Sequence, residues 1–133
     1  MKGLDTNVLV RYLVQDDTAQ ARKATRFIEE WCTPEDPGHI NSIVLCELVW
    51  VLESTYEYPK QDIAAGLEKI LRISGFQIDN GLAAWAALRQ YQRTNADFSD
   101  CLLGMLNRAG GCMHTVTFDR KASRLADFTL LAD

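Results

Sequence analysis

The chain has 133 residues, 47% of them apolar, and a formal charge of −4 at pH 7. That length supports one hydrophobic core, so a single domain is expected over residues 1–133. No stretch approaches the roughly 18 uninterrupted apolar residues of a membrane span, and the N-terminus lacks the apolar run of a secretory signal, so a soluble, cytoplasmic protein with no membrane partner is expected.

Residues 2–5 read as a short strand, and 6–14 as a helix that Asp5 or Thr6 is placed to cap. Asp16-Asp17-Thr18 starts a second helix reaching about residue 32, and the two prolines and glycine of 33–38 mark a loop. Residues 39–41 form a brief strand. A strong helix follows over 42–55, in which Ile43, Glu47, Trp50 and Val51 share one face, placing Glu47 on an apolar stripe. Pro59 opens a helix to about residue 73, Gly75 ends it, and 76–79 are extended. Residues 81–93 and 98–109 are helical, the second stopping at Gly110-Gly111. A β-branched strand over 113–117, a short helix over 120–126 and a final strand over 128–131 complete the chain. Strands alternating with helices predict an α/β fold, a parallel sheet covered on both faces. Trp31, Trp50 and Trp85 have core-like spacing and are expected inside. The four cysteines contain no C-x-x-C pair and are expected to be free, mostly buried thiols.

Five acids interrupt apolar surroundings: Asp5, Glu47, Asp97, Asp100 and Asp119. A carboxylate removed from water without a partner is disfavoured, so several in apolar settings point to a shared cation. Asp5 and Asp119 fall at or just past the carboxyl ends of predicted strands, where open parallel sheets gather ligands. Asp97 and Asp100 lie three apart around one helix start, on similar sides of a turn. Their hard oxygens suit Mg2+ or Mn2+, and no histidine or cysteine cluster competes. Such an ion can activate water and stabilise charge on a phosphodiester. Thr6, Asn7, Ser99 and Thr117 are the adjacent small polar residues, suited to orienting carboxylates or metal-bound water.

Each acid also has a plainer reading. Asp5, Asp97 and Asp119 are each placed to cap a helix, and if Asp97 does so then Asp100 is the ligand. Glu47 can be satisfied by a buried arginine. Other catalytic schemes find less support: there is no G-x-S-x-G, no glycine-rich phosphate loop, and Asn7 stands where an aspartyl-phosphate route would want a second aspartate. The negative charge argues against a nucleic-acid substrate only mildly. Of 18 acidic residues, setting the five aside leaves 13 facing 14 bases, and a bound divalent ion makes the site itself cationic. Arg11, Arg22, Lys23, Arg26, Arg89 and Arg93 read as solvated helix faces, with Arg11 near enough to the Asp5 strand end to guide a phosphate.

Asp5-Thr6-Asn7-Val8-Leu9, Cys46-Glu47-Leu48-Val49-Trp50, Asp97-Phe98-Ser99-Asp100-Cys101 and Val116-Thr117-Phe118-Asp119 resemble, in order and spacing, the successive acidic motifs of PIN-domain ribonucleases, and most of all the VapC toxins of type II toxin-antitoxin pairs. The resemblance implies a three-layer α/β/α sandwich with a central parallel sheet and an Mg2+- or Mn2+-dependent endoribonuclease. It carries the family's acidic positions onto Asp5, Glu47, Asp100 and Asp119, and its polar ones onto Thr6, Asn7 and Thr117. Asp97 departs from the pattern, since many members carry a single aspartate there. The resemblance further implies a homodimer and a VapB-like antitoxin whose tail blocks the metal site through a basic residue, as an arginine paired with carboxylates would. The rival functional readings are a catalytically silent PIN-like binding module and a phosphatase acting on small esters.

Overall fold

Three parallel strands organise the first part of the chain, and two more the last. The computed structural model describes residues 1–131, which fall into two units, 1–81 and 82–131.

In the first unit β1 (Lys2–Gly3), β2 (Gly38–Ile40) and β3 (Phe76–Ile78) pair in that order, with Lys2 opposite Gly38 and Ile40 opposite Ile78. The first strand is shorter than the expected 2–5. The Leu4 amide still donates to the His39 carbonyl at 3.1 Å, but at Asp5 the chain already turns into a helix. Leu4, just past β1, and Ile40 in β2 are buried, while both residues of β1 are exposed. Helix α1 (Thr6–Val14) has the expected bounds and ends on Gln15 in the left-handed conformation, its side-chain Nε2 donating to the Tyr12 carbonyl at 2.9 Å. Helix α2 (Thr18–Arg26) is capped by Asp17, whose Oδ1 accepts from the Gln20 amide at 3.1 Å. It gives way to a π-helical turn over Phe27–Trp31, closed by Cys32 N–H to Phe27 O at 3.2 Å, where an unbroken helix was expected. In an α-helix Ile28 and Trp31 would share a face; the wider turn separates them, burying Ile28 and leaving Trp31 62% exposed.

Helix α3 (Ser42–Ser54), capped by the Asn41 side chain, corrects the expected face. Val44, Leu45, Leu48, Val49 and Leu52 are buried, whereas Ile43 and Trp50 are 68% and 66% exposed and Glu47 is exposed with them. The helix is apolar nearly all round, so its hydrophobic pattern does not say which side faces inward. Helix α4 (Lys60–Leu71) begins after Pro59 and buries Ile63, Leu67 and Ile70.

The second unit contains α5 (Gly81–Arg93), α6 (Phe98–Ala109), β4 (Thr115–Thr117) and β5 (Phe128–Leu130); Gly81 itself closes the first unit. Strands β4 and β5 are parallel, with Thr115 opposite Phe128. Tyr91 meets the Phe98 ring edge-on at 5.8 Å, joining the two helices. Helix α6 passes so close to β5 that a Cβ on Gly104 would lie 2.6 Å from Phe128 Cε1. It terminates at Gly110-Gly111, the latter at φ +100°. The expected helix over 120–126 is only a 3-10 turn, Ala122–Arg124, because the Phe128 amide bonds the Leu125 carbonyl and β5 starts at once. Trp85 is half-buried, with the Arg89 guanidinium 5.2 Å over its ring.

Among the described residues every strand pairing is parallel, as the alternation of strands and helices predicts, and the chain is α/β. None of the four cysteines forms a disulfide; Cys32 and Cys101 are buried, Cys46 half-buried and Cys112 exposed. Among the described residues no helix is long and apolar enough to cross a membrane.

Candidate functional site

Two of the acids meet through one threonine in the first unit. Asp5 occupies the extended N-cap position of α1 (φ −82°, ψ 157°), and its Oδ1 accepts from the Thr6 amide at 2.7 Å. A cap ordinarily bonds the second or third amide of the helix, so this bond to the very next residue orients the carboxylate more than it satisfies the helix end. Thr6 is the buried polar residue of the first turn, and its Oγ1 donates to Glu47 Oε1 at 2.8 Å, across 41 positions. That leaves Asp5 Oδ2 and Glu47 Oε2 without a hydrogen bond among the described residues. Glu47 is exposed and held by Thr6, which corrects both the expected apolar burial and the arginine pairing. Asn7 follows on the exposed side of α1.

The second unit brings together Asp97, Asp100 and Asp119. Asp97 stands at the N-cap of α6, and its backbone carbonyl takes the Asp100 and Cys101 amides at 3.1 Å each, but its side chain makes no cap bond. Asp97 Oδ1 instead accepts from Lys121 Nζ at 3.3 Å. Asp100, in the first turn and half-buried, has its carboxyl raised above the ordinary aspartate range, first by desolvation and then by the charges of Asp97 and Asp119, with Lys121 opposing. Asp119 does cap: its Oδ1 accepts from the Lys121 amide at 2.8 Å and the Ala122 amide at 3.1 Å, while its own amide donates to Thr117 Oγ1 at 3.0 Å. Ser99 is exposed in the first turn of α6.

Among the described residues of neither unit do three histidine, cysteine or carboxylate side chains form a ready-made cage for an ion. The donor set nevertheless fits a hard divalent cation by its chemistry. Its groups are all carboxylate and hydroxyl oxygens, and the mutual repulsion at Asp100 is what such a cation relieves. The Lys121 ammonium already occupies part of that field.

Beside Asp5 the first unit has a cleft of about 530 Å³, lined among others by Lys2, Asn7, Arg11, Lys23 and Phe27. Arg11 is committed elsewhere. Its guanidinium donates to Gln20 Oε1 at 2.8 Å, Asp16 Oδ1 at 2.8 Å and the Tyr56 hydroxyl at 3.1 Å, and Tyr56 donates in turn to Asp16 Oδ2 at 2.9 Å. Arg11 therefore lines the cleft as a tied strut, not as the free phosphate guide expected from its position. Lys2 and Lys121 carry charge into these regions and were not singled out by motif or spacing; the one signal for Lys121 is that it lies two residues past Asp119.

The PIN domain family matches residues 3–128. A VapC ribonuclease from Aquifex aeolicus (strain VF5) is 28% identical over 125 residues, which cover 94% of this chain and 92% of that protein.

Proposed function

Because the chain belongs to the PIN domain family, we propose that it is a metal-dependent endoribonuclease acting as the toxin of a toxin-antitoxin pair. The observation that carries this reading is Thr6, which hydrogen-bonds Asp5 by its amide and Glu47 by its hydroxyl and so presets two carboxylates from distant parts of the chain. The crowding of Asp97, Asp100 and Asp119 supports the same reading from the second unit. In this proposal Asp5, Glu47, Asp100 and Asp119 hold Mg2+ or Mn2+, and Thr6, Asn7, Asp97, Ser99 and Thr117 orient them. When bound, the ion supplies Lewis-acid stabilisation and an activated water to the phosphodiester.

The residues divide the remaining work. Thr6 fixes the direction of Asp5 and Glu47, so neither has to reorganise when the substrate arrives. Thr117 and the two cap bonds fix Asp119. Lys121 offsets part of the carboxylate repulsion in the unloaded protein, and an inserted basic residue of an antitoxin would act on the same field. The relative from Aquifex aeolicus, a VapC ribonuclease by name, supports both the RNA substrate and the VapB-like antitoxin. A cytoplasmic homodimer belongs to the same proposal, supported by the exposed Ile43 and Trp50 of α3.

The test is cleavage of total RNA by the purified chain with Mg2+ or Mn2+ against chelator, alongside calorimetric titration of the metal. Cleavage that needs the ion, with Asp5→Asn inactive and folded, is expected. Cleavage that persists in chelator, or no cleavage together with no metal binding, would overturn the proposal, and the second outcome would favour a silent binding module.

A further inference from the structure

The cleft beside Asp5 carries two lysines that no ion pair among the described residues holds. Lys2 and Lys23 are exposed, line it, and form no ion pair or side-chain hydrogen bond among the described residues. Asp36, on which Lys2 acts electrostatically, forms its ion pair with the N-terminal ammonium at 2.6 Å. Arg11, the third cation of the lining, is neutralised by Asp16. Buried Leu4 and half-buried Val8 and Phe27 supply an apolar lining. The π-helical turn starts at Phe27, and such turns recur at functional sites. The volume of about 530 Å³ lies within the roughly 300–1,000 Å³ range of ligand clefts.

We propose that this cleft is a subsite for one nucleotide of single-stranded RNA next to the one cleaved, with Lys2 and Lys23 on phosphate oxygens and Phe27 against the base or ribose. The inference rests on the nuclease reading of Asp5, which places the cleft at the edge of the reaction. Two considerations select the occupant. With Arg11 paired, Lys2 and Lys23 outnumber the Asp5 carboxylate in the lining and flank apolar side chains, which complements a phosphate followed by a base better than it does the basic residue through which an inhibitory peptide would enter. A concave cleft with an aromatic wall accepts an unstacked base, which a duplex does not offer. In a chain of net charge −4, a local cationic pair also supplies what a polyanion needs to be held at all.

The experiment measures binding of a fluorescein-labelled oligouridylate to the full chain in chelator, so that no cleavage occurs, over a series of salt concentrations. Removing both charges by Lys2→Gln with Lys23→Gln is expected to weaken binding about tenfold or more and to lower the slope of log affinity against log salt by roughly 0.7 for each lysine. Phe27→Leu is expected to weaken binding several-fold with the slope unchanged, and Arg22→Gln, on the same helix but outside the lining, to change neither. Thermal melts of each variant establish that it is folded. A double variant with the wild-type slope and affinity overturns the inference, even if metal-dependent cleavage is intact. A lysine-dependent slope in a protein that never cleaves RNA keeps the subsite and sinks the nuclease reading instead. If the two lysines govern binding of an acidic peptide and leave RNA affinity unchanged, the occupant is a polypeptide and the inference falls.

Discussion

Asp5 and Glu47 in the first unit share a hydrogen-bonding intermediary, whereas Asp97, Asp100 and Asp119 in the second crowd one another beside the Lys121 ammonium. The two groups solve the same problem differently. Thr6 gives its carboxylates fixed directions and leaves one oxygen of each unbonded. In the second unit Asp119 is fixed by three hydrogen bonds in its turn, while Asp97 gives up the cap to pair with a flexible side chain and Asp100 stands half-buried, where desolvation and like charge both disfavour its ionised form. The difference separates preorganised direction from stored electrostatic demand, and each can be broken without the other.

The largest effect is expected from removing a carboxylate on either side. Asp5→Asn and Asp100→Asn should each lower RNA cleavage by roughly 1,000-fold or more, corresponding to the several kcal/mol that a catalytic cation contributes. Single-turnover cleavage under saturating Mn2+ measures it, and circular dichroism shows whether the fold is kept. Loss in one variant with near-normal rates in the other would mean that only one group serves the reaction.

Next comes the intermediary. Thr6→Val keeps shape and the backbone bond to Asp5 but deletes the hydroxyl that holds Glu47. Cleavage should fall about 10- to 100-fold, as is typical when a residue orienting a metal ligand is lost. Thr117→Val removes one of three bonds fixing Asp119 and should cost less than tenfold. Equal losses in the two variants would erase the contrast between a shared intermediary and a redundant turn.

This contrast was only half legible in the amino-acid sequence. The acids themselves were, because Asp5, Glu47, Asp100 and Asp119 interrupt apolar runs, and helices such as Thr6–Val14 and Phe98–Ala109 carry clear starts and stops. The bond from Thr6 to Glu47 was not, since it depends on how α1 and α3 pack, and the same packing decided the exposed face of α3. With apolar residues on both sides of that helix, Trp50 reads as core and lies outside. The π-helical turn that exposes Trp31 leaves no composition signal either. Lys121 found Asp97 through a side-chain geometry that spacing does not encode.

The smallest effect concerns the metal-free protein and its response to pH, where the two units should have opposite signs. In the first, Asp16 has its carboxyl lowered by the Tyr56 hydroxyl and then by Arg11. A carboxylate whose folded value lies below its unfolded one, about 3.9, contributes stability that is present above that unfolded value and lost as pH falls through the folded one. In the second, Asp100 is raised, by desolvation and then by Asp97 and Asp119. Its contribution is fully present below the unfolded value and lost as pH rises through the folded one. Melting in chelator across the acid range should therefore show Asp16→Asn flattening the loss of stability at the lowest pH. Asp100→Asn should leave the protein at neutral pH as stable as the parent or slightly more so, within the roughly 0.5 kcal/mol common for substitutions near the surface. Saturating Mn2+ should reverse that second comparison, because the parent then gains binding energy that the variant lacks. An Asp100→Asn protein that is less stable in chelator and equally stable in Mn2+ would show Asp100 to be a structural residue, and the crowding in the second unit would lose its link to a cation.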